Sequence, residues 1–215
     1  MAKLVTSHTD DGCCGSGSCH DGPVAIATVG KPAPLFEGKV FHAGKIDTIK
    51  LADQFGKNGK WVVLFFYPAD FTFVCPTELS DVADHYEELQ KLGVEVISVS
   101  TDTEWAHKVW ADISPTIKNV KYPMLADPTG IVCKAYGVYI PEEGLADRGR
   151  FIIDPDGVVK SIEITDGPLG RNIEETLRQI KALQHMRANP GVACPAKWAT
   201  GAKTLKPGAD LAGKI

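Results

Sequence analysis

The chain has 215 residues, 44% apolar and 23% charged, with 23 Lys and Arg against 27 Asp and Glu for a net charge of −4. This balance leaves no basic field for phosphate backbones, which excludes nucleic-acid binding driven by counterion release. The apolar share is that of a globular protein, and no apolar run reaches the ~20 residues a membrane span requires. The start of the chain also lacks the basic segment and apolar core of an export signal. The six cysteines are therefore expected in the cytoplasm, a reducing compartment where redox, catalytic or metal roles outrank a disulfide framework.

Residues 1–23 read as a flexible arm, because 11–22 (DGCCGSGSCHDG) offer almost nothing to bury. Cys13, Cys14, Cys19 and His20 are the donor types that zinc or copper would take, and Cys14 with Cys19 could close a small disulfide. Equally, the three thiols could relay electrons, or the segment could be an inert tail. The glycine and serine content argues against a fixed metal site. The folded region is expected from about residue 24 (VAIATV), interrupted by Gly30-Lys31-Pro32-Ala33-Pro34.

Trp61–Tyr67 is an uninterrupted apolar run of strand length, as in a strand covered on both faces. After the loop Pro68–Val74, a helix is expected from Pro76, with Leu79, Val82, Ala83, Tyr86 and Leu89 on one side and Gly93 as its end. Val94–Ser100 is the next strand, completing a βαβ unit whose loop lies at the carboxyl end of the first strand. Thr103–Ile113 is expected to be a helix carrying Trp105, Val109 and Trp110. Pro128–Tyr136 holds a short one, in which Cys133 packs as a core residue. Phe151–Ile153, the turn Asp154-Pro155-Asp156-Gly157 and Val158–Ile164 form a hairpin. Arg171–Arg187 is a second amphipathic helix, with Ile173, Leu177, Ile180 and Leu183 on one face. The result is one α/β domain over 24–188, followed by a C-terminal arm, 189–215. His42, His85, His107 and His185 share no metal-ligand spacing, and His85 and His107 are expected at the surface or half-buried. No glycine-rich nucleotide loop is present, so no bound nucleotide or flavin is indicated and electrons must come from another protein.

Cys75 falls at the N-cap of the helix expected from Pro76, a residue suited to a first helical position. Free N–H groups and the helix dipole there favour a negative sulfur, the nucleophilic form. Position alone leaves open a second reading, a buried apolar cysteine.

The surrounding residues carry more. Pro68-Ala69-Asp70-Phe71-Thr72-Phe73-Val74-Cys75-Pro76 matches the PxxxTxxC signature of peroxiredoxins. The stretch 65–103, LADRG at 145–149, FIIDPDG at 151–157 and CPAKW at 194–198 resemble the bacterial alkyl hydroperoxide reductase C subgroup of the typical two-cysteine peroxiredoxins. The resemblance runs from Gly30 to Ile215. It implies a thioredoxin-like fold, a central mixed sheet flanked by helices, in homodimers that assemble as a decamer of five dimers. It further implies a thiol-dependent peroxidase that reduces hydrogen peroxide and organic hydroperoxides in antioxidant defence, with no metal or other cofactor.

By the same resemblance, Cys75 is the peroxidatic cysteine and Cys194, from the partner subunit, the resolving one. Cys75 must leave its buried position, with local unwinding, before the two can join. Thr72 hydrogen-bonds sulfur and peroxide, Pro68 shields the site, Arg148 favours the thiolate, Glu78 orients an arginine, and Arg171 is the candidate for a second one. The electron donor is thioredoxin or a flavoprotein disulfide reductase. A dithiol oxidoreductase is disfavoured, because Cys75-Pro76-Thr77-Glu78 puts glutamate where a C-x-x-C motif has its second cysteine. A chaperone or peroxide-sensor role is disfavoured too. The GGLG loop that accompanies over-oxidation in the family reads Glu142-Glu143-Gly144-Leu145 here, and the chain ends without the accompanying Tyr-Phe helix.

Overall fold

The computed structural model describes residues 1–5, 26–56 and 59–214. These divide into two units, Met1–Arg171 and Asn172–Ile215. In chain order the first unit contains β1 (Lys3–Leu4), β2 (Phe36–His42), β3 (Lys45–Lys50), β4 (Trp61–Phe66), α1 (Cys75–Asp84), α2 (Tyr86–Lys91) and β5 (Val94–Ser100). It continues with α3 (Glu104–Ile113), β6 (Met124–Ala126), α4 (Ile131–Ala135), β7 (Tyr139–Ile140), β8 (Leu145–Ala146), β9 (Arg148–Ile153) and β10 (Val159–Thr165).

The main sheet has the order β1-β2-β6-β5-β4-β9-β10, with β3 paired to β2. β4, β5 and β6 are parallel, whereas β9 runs antiparallel to β4. This is the mixed, helix-flanked thioredoxin-like α/β arrangement. Every residue of β4 is buried, the reason its sequence is apolar without alternation. Val62, Leu64 and Phe66 join Val99, Phe151 and Ile153 in one core cluster, while the alternate residues face the opposite side of the sheet.

Three expectations change here. The first residues do not belong to a free arm: Lys3 and Leu4 pair with Glu37 and Phe36, and Ala2 is buried. Cys13, Cys14, Cys19 and His20 lie outside the described residues. The helix after Cys75 is not continuous, since α1 ends and α2 begins around His85. The His85 ring donates to the Asp81 carbonyl at 2.9 Å, taking the acceptor that its own backbone N–H would use in a helix, and that N–H turns to Ala83 O. Finally, α1 starts at Cys75 itself with Val74 as N-cap, so Cys75 occupies the first turn rather than the cap. Gly93, at φ +69°, closes α2 in the left-handed region that glycine enters without a steric penalty.

In the second unit, α5 (Ile173–Ala188) is capped by Asn172, whose side chain accepts from the Glu174 N–H at 2.7 Å. Ile173, Leu177 and Ile180 are buried as expected, with Ala182 buried and Leu183 only half-buried. This helix groups with the C-terminal segment and not with the α/β unit expected to reach residue 188. Trp198 explains the grouping. It is buried, lies 5.0 Å from the His185 ring, and its carbonyl accepts from Arg178 at 3.3 Å. Among the described residues, no helix is long and apolar enough to cross a membrane.

Candidate active site

The carboxyl end of β4 leads through residues 67–74 into α1. Cys75, Glu78, Leu79 and Val82 are the buried residues of α1, an i, i+3, i+4, i+7 pattern that puts the sulfur and the Glu78 carboxylate on the inward face. The antiparallel register sets Phe65 opposite Arg150. Arg148, two residues earlier on β9, therefore lies past the end of β4, beside the start of α1. From there its Nη1 donates to Cys75 Sγ at 3.3 Å and to Glu78 Oε2 at 2.6 Å, while Nε donates to Gly167 O at 2.6 Å.

Arg171 holds Glu78 from the other side. Its Nε and its backbone N–H both donate to Oε1 at 2.8 Å, and Nη2 donates to Oε2 at 3.1 Å. Nη1 donates to Gly149 O at 2.7 Å, and the guanidinium lies 3.5 Å above the Phe65 ring. Burial pushes the pKa of Arg171 down, and its bonds to Glu78 oppose that shift. Gly149 has to be glycine, because a Cβ there would meet Val138 Cγ1 at 2.7 Å. Its bare backbone lets β9 pass close enough to carry both Arg148 and the carbonyl that Arg171 uses.

The charge count gives this cluster its chemistry. Arg148, Arg171 and Glu78 are 4%, 8% and 3% exposed, and Cys75 is fully buried. Two guanidinium cations facing one carboxylate leave a net charge of +1 where water cannot screen it. An anionic sulfur at Cys75 cancels that excess, and Arg148 donates to it directly. Arg148, placed at the sulfur, is also the charged donor that an oxygen gaining charge there would meet.

The other expected residues are distributed around this centre. Thr72 sits three residues before Cys75, and its hydroxyl donates to Ala69 O at 2.9 Å, so in this conformation its proton secures the loop and is not given to the sulfur. Pro68 is half-buried directly after Tyr67. Cys194 belongs to the second unit, where it is partly exposed and its sulfur contacts Ala182 O at 3.9 Å. Cys133 is fully buried in the core cluster, and burial together with Asp127 pushes its thiol pKa far up. It packs, as expected. Among the described residues, no three His, Cys, Asp or Glu side chains gather as a metal site would require.

One group escaped sequence reasoning. His107, expected at the surface or half-buried, is fully buried, with Nδ1 2.8 Å from Asp70 Oδ2. Its one sequence signal was polarity at an inward position of a helix, and its partner lies 37 residues away in the Cys75 loop.

Comparison with known proteins agrees with this geometry. Residues 29–162 match the model of the AhpC/TSA family, and residues 182–214 match the C-terminal domain of 1-Cys peroxiredoxin. The alkyl hydroperoxide reductase C of Salmonella typhimurium is 52% identical over 180 residues, covering 84% of this chain and 95% of the relative. The crystal structure of Enterococcus faecalis AhpC superposes with a TM-score of 0.75 at 44% identity, over 79% of this chain and all of that one. The reduced Plasmodium vivax 2-Cys peroxiredoxin reaches a TM-score of 0.80 at 33% identity, over 85% and 94% of the two chains. The chain belongs to the AhpC/TSA family and is a peroxiredoxin, a thiol-dependent peroxidase.

Proposed function

We propose that this peroxidase reduces hydrogen peroxide and organic hydroperoxides with Cys75 as its attacking thiolate and Cys194 of the partner subunit as its resolving thiol. The buried +1 cluster around Cys75, with Arg148 donating to the sulfur at 3.3 Å, is the observation that carries this reading. The thiolate attacks one peroxide oxygen, forming an S–O bond as the O–O bond breaks. The leaving oxygen departs with the bonding pair, takes a proton and becomes water or alcohol, and Cys75 is left as a sulfenic acid. Arg148, already aligned, stabilises the charge moving from sulfur to the leaving oxygen. Glu78 and Arg171 keep Arg148 in place. Thr72, its hydroxyl proton on Ala69 O, keeps lone pairs to accept from a peroxide O–H.

The Cys194 thiol then displaces the sulfenic oxygen as water, giving a disulfide between subunits. A dithiol donor, thioredoxin or a flavoprotein disulfide reductase, returns both cysteines to thiols by exchange. Because Cys75 is fully buried, it must leave the first turn of α1 to meet any partner. Cys194 has the complementary property, partial exposure near the start of the segment that follows α5. The homodimer this chemistry requires, and a decamer of five dimers built from it, are supported by exposed apolar side chains. Phe71 and Phe73 in the loop, and Trp105, Val109 and Ile113 on α3, are all exposed. A cytoplasmic location fits a cycle that starts from free thiols.

Peroxide-dependent oxidation of reduced thioredoxin, or of NADH through a flavoprotein reductase, tests the scheme. Cys75→Ser is expected to consume no peroxide above background, and retained turnover would overturn the assignment. Cys194→Ser should still consume about one peroxide per subunit while losing the intermolecular disulfide on non-reducing gels.

A further inference from the structure

The loop that delivers Cys75 is anchored at one residue by a buried polar group that the mechanism above does not use. Asp70 Oδ1 accepts from Tyr67 Oη at 2.8 Å, and Oδ2 lies 2.8 Å from His107 Nδ1. The Asp70 backbone N–H donates to Asp102 Oδ2 at 2.8 Å, an oxygen that also accepts from Ser100 Oγ at 2.8 Å. His107 Nε2 faces Leu125 O at 3.3 Å, and the side chains of Asp70 and His107 are both fully buried. The partners come from the end of β4, the end of β5 and its following turn, α3 and β6, four pieces of rigid scaffold around one loop residue.

Both ring nitrogens of His107 therefore face acceptors. Burial pushes the Asp70 carboxyl pKa up, while the bond and charge of His107 pull it down. Asp102 is the other carboxylate in the group, and Tyr67 stays protonated because burial and Asp70 raise its pKa. On the other side of this anchor the chain changes character. Phe71 takes a left-handed φ of +57°, Phe73 is almost wholly exposed, and Thr72 is tied only within the loop. The loop is thus held to the scaffold at Asp70, directly before Phe71–Val74, the segment that must open for Cys75 to leave α1.

We propose that His107 is a positioning residue for the peroxidase reaction: through Asp70 it latches the Cys75 loop in the attacking conformation and sets how readily that loop opens for disulfide formation. This rests on the assignment of Cys75 and Cys194 above. A latch acts on the two chemical steps with opposite sign. Attack on peroxide needs the loop closed, with Cys75 beside Arg148, whereas resolution needs it open. Weakening the latch slows the first step and speeds the second. A substitution that only lowers stability reduces the active fraction and leaves the ratio of the two rate constants unchanged.

Stopped-flow single turnovers of the reduced full-length chain with hydrogen peroxide read both steps. Tryptophan fluorescence reports the loop through Trp110, whose ring lies 5.8 Å from that of Phe71, and acid-quenched non-reducing gels time the disulfide. In His107→Leu the ratio of the attack constant to the disulfide constant is expected to fall by about tenfold or more, since small displacements of a reacting group cost that much. His107→Asn, which keeps a donor near the position of Nδ1, should recover most of it. Asp70→Asn preserves shape and decides the matter should His107→Leu fail to fold. A ratio changed by less than about threefold in the variants that fold overturns the latch, and a larger fall supports it. Peroxide consumption by Cys75→Ser in the same assay would instead overturn the assignment beneath it. An inactive Cys75→Ser with an unchanged ratio overturns the latch alone.

Discussion

The start of α1 and the short helix α4 each bury a cysteine completely, in surroundings of opposite charge. At Cys75 the nearest charged donor is Arg148, within a cluster that holds two guanidinium groups and one carboxylate. At Cys133 the neighbour is Asp127, whose Oδ2 accepts from the Cys133 backbone N–H at 2.8 Å and whose charge opposes ionisation of the thiol. Burial also pushes the Cys133 thiol pKa up. What differs between the two buried sulfurs is the sign of the charge set beside them, a guanidinium at Cys75 and a carboxylate at Cys133.

The comparison can be broken most severely by removing the sulfur itself, and Cys75→Ser should abolish turnover while Cys133→Ala leaves it intact. Next comes the charge. Arg148→Met keeps length and apolar volume, deletes the donor and should lower the rate constant with hydrogen peroxide by roughly 10²–10³-fold, the scale of a lost transition-state donor. Stopped-flow kinetics would show it, and a drop of under about threefold would mean that Arg148 is a structural ion pair only. Glu78→Ala leaves two buried guanidinium groups facing each other and should cost about 3–5 kcal/mol of stability, read by urea unfolding. Glu78→Gln should cost less, because its oxygen can still accept from one arginine.

The smallest effects belong to Cys133. Cys133→Ala should cost about 1 kcal/mol by the same unfolding measurement. Its dependence on pH has a definite sign. The native thiol pKa is raised, so its contribution is fully present below the unfolded value of about 8.5 and is lost progressively as the pH climbs above it. The stability difference between Cys133→Ala and the parent should therefore shrink in alkaline buffer and stay constant between about pH 6 and 8.

Several parts of this architecture were open to reading because their causes are local. The strand expected at 61–67 is a continuous apolar run, the pattern of a strand covered on both faces. The cap at Thr103 and the hairpin turn at 154–157 rest on side chains bonding to neighbouring backbone. The break at His85 was hidden, since a ring bonding back to the Asp81 carbonyl leaves hydrophobic periodicity unchanged. Pairing of Lys3 and Leu4 with β2 was equally hidden, because two residues carry no periodicity.

The sequence by itself determined the chemistry available: one motif cysteine after a buried strand, a threonine three residues before it, and no second thiol in the next turn. Which charges meet that cysteine was decided by the tertiary structure. Arg148 is 73 residues from Cys75 and Arg171 is 93 from Glu78; the antiparallel placement of β9 beside β4 brings Arg148 to the start of α1, and Arg171, beyond β10, reaches the same carboxylate. The latch at Asp70 has the same origin, since His107 is held by the helix after β5. Local patterns follow from bonds between neighbours in the chain, whereas the charge at a buried sulfur sums over every strand that ends there. The three cysteines among the described residues, of the six counted at the outset, differ less in their own chemistry than in what the fold sets beside them.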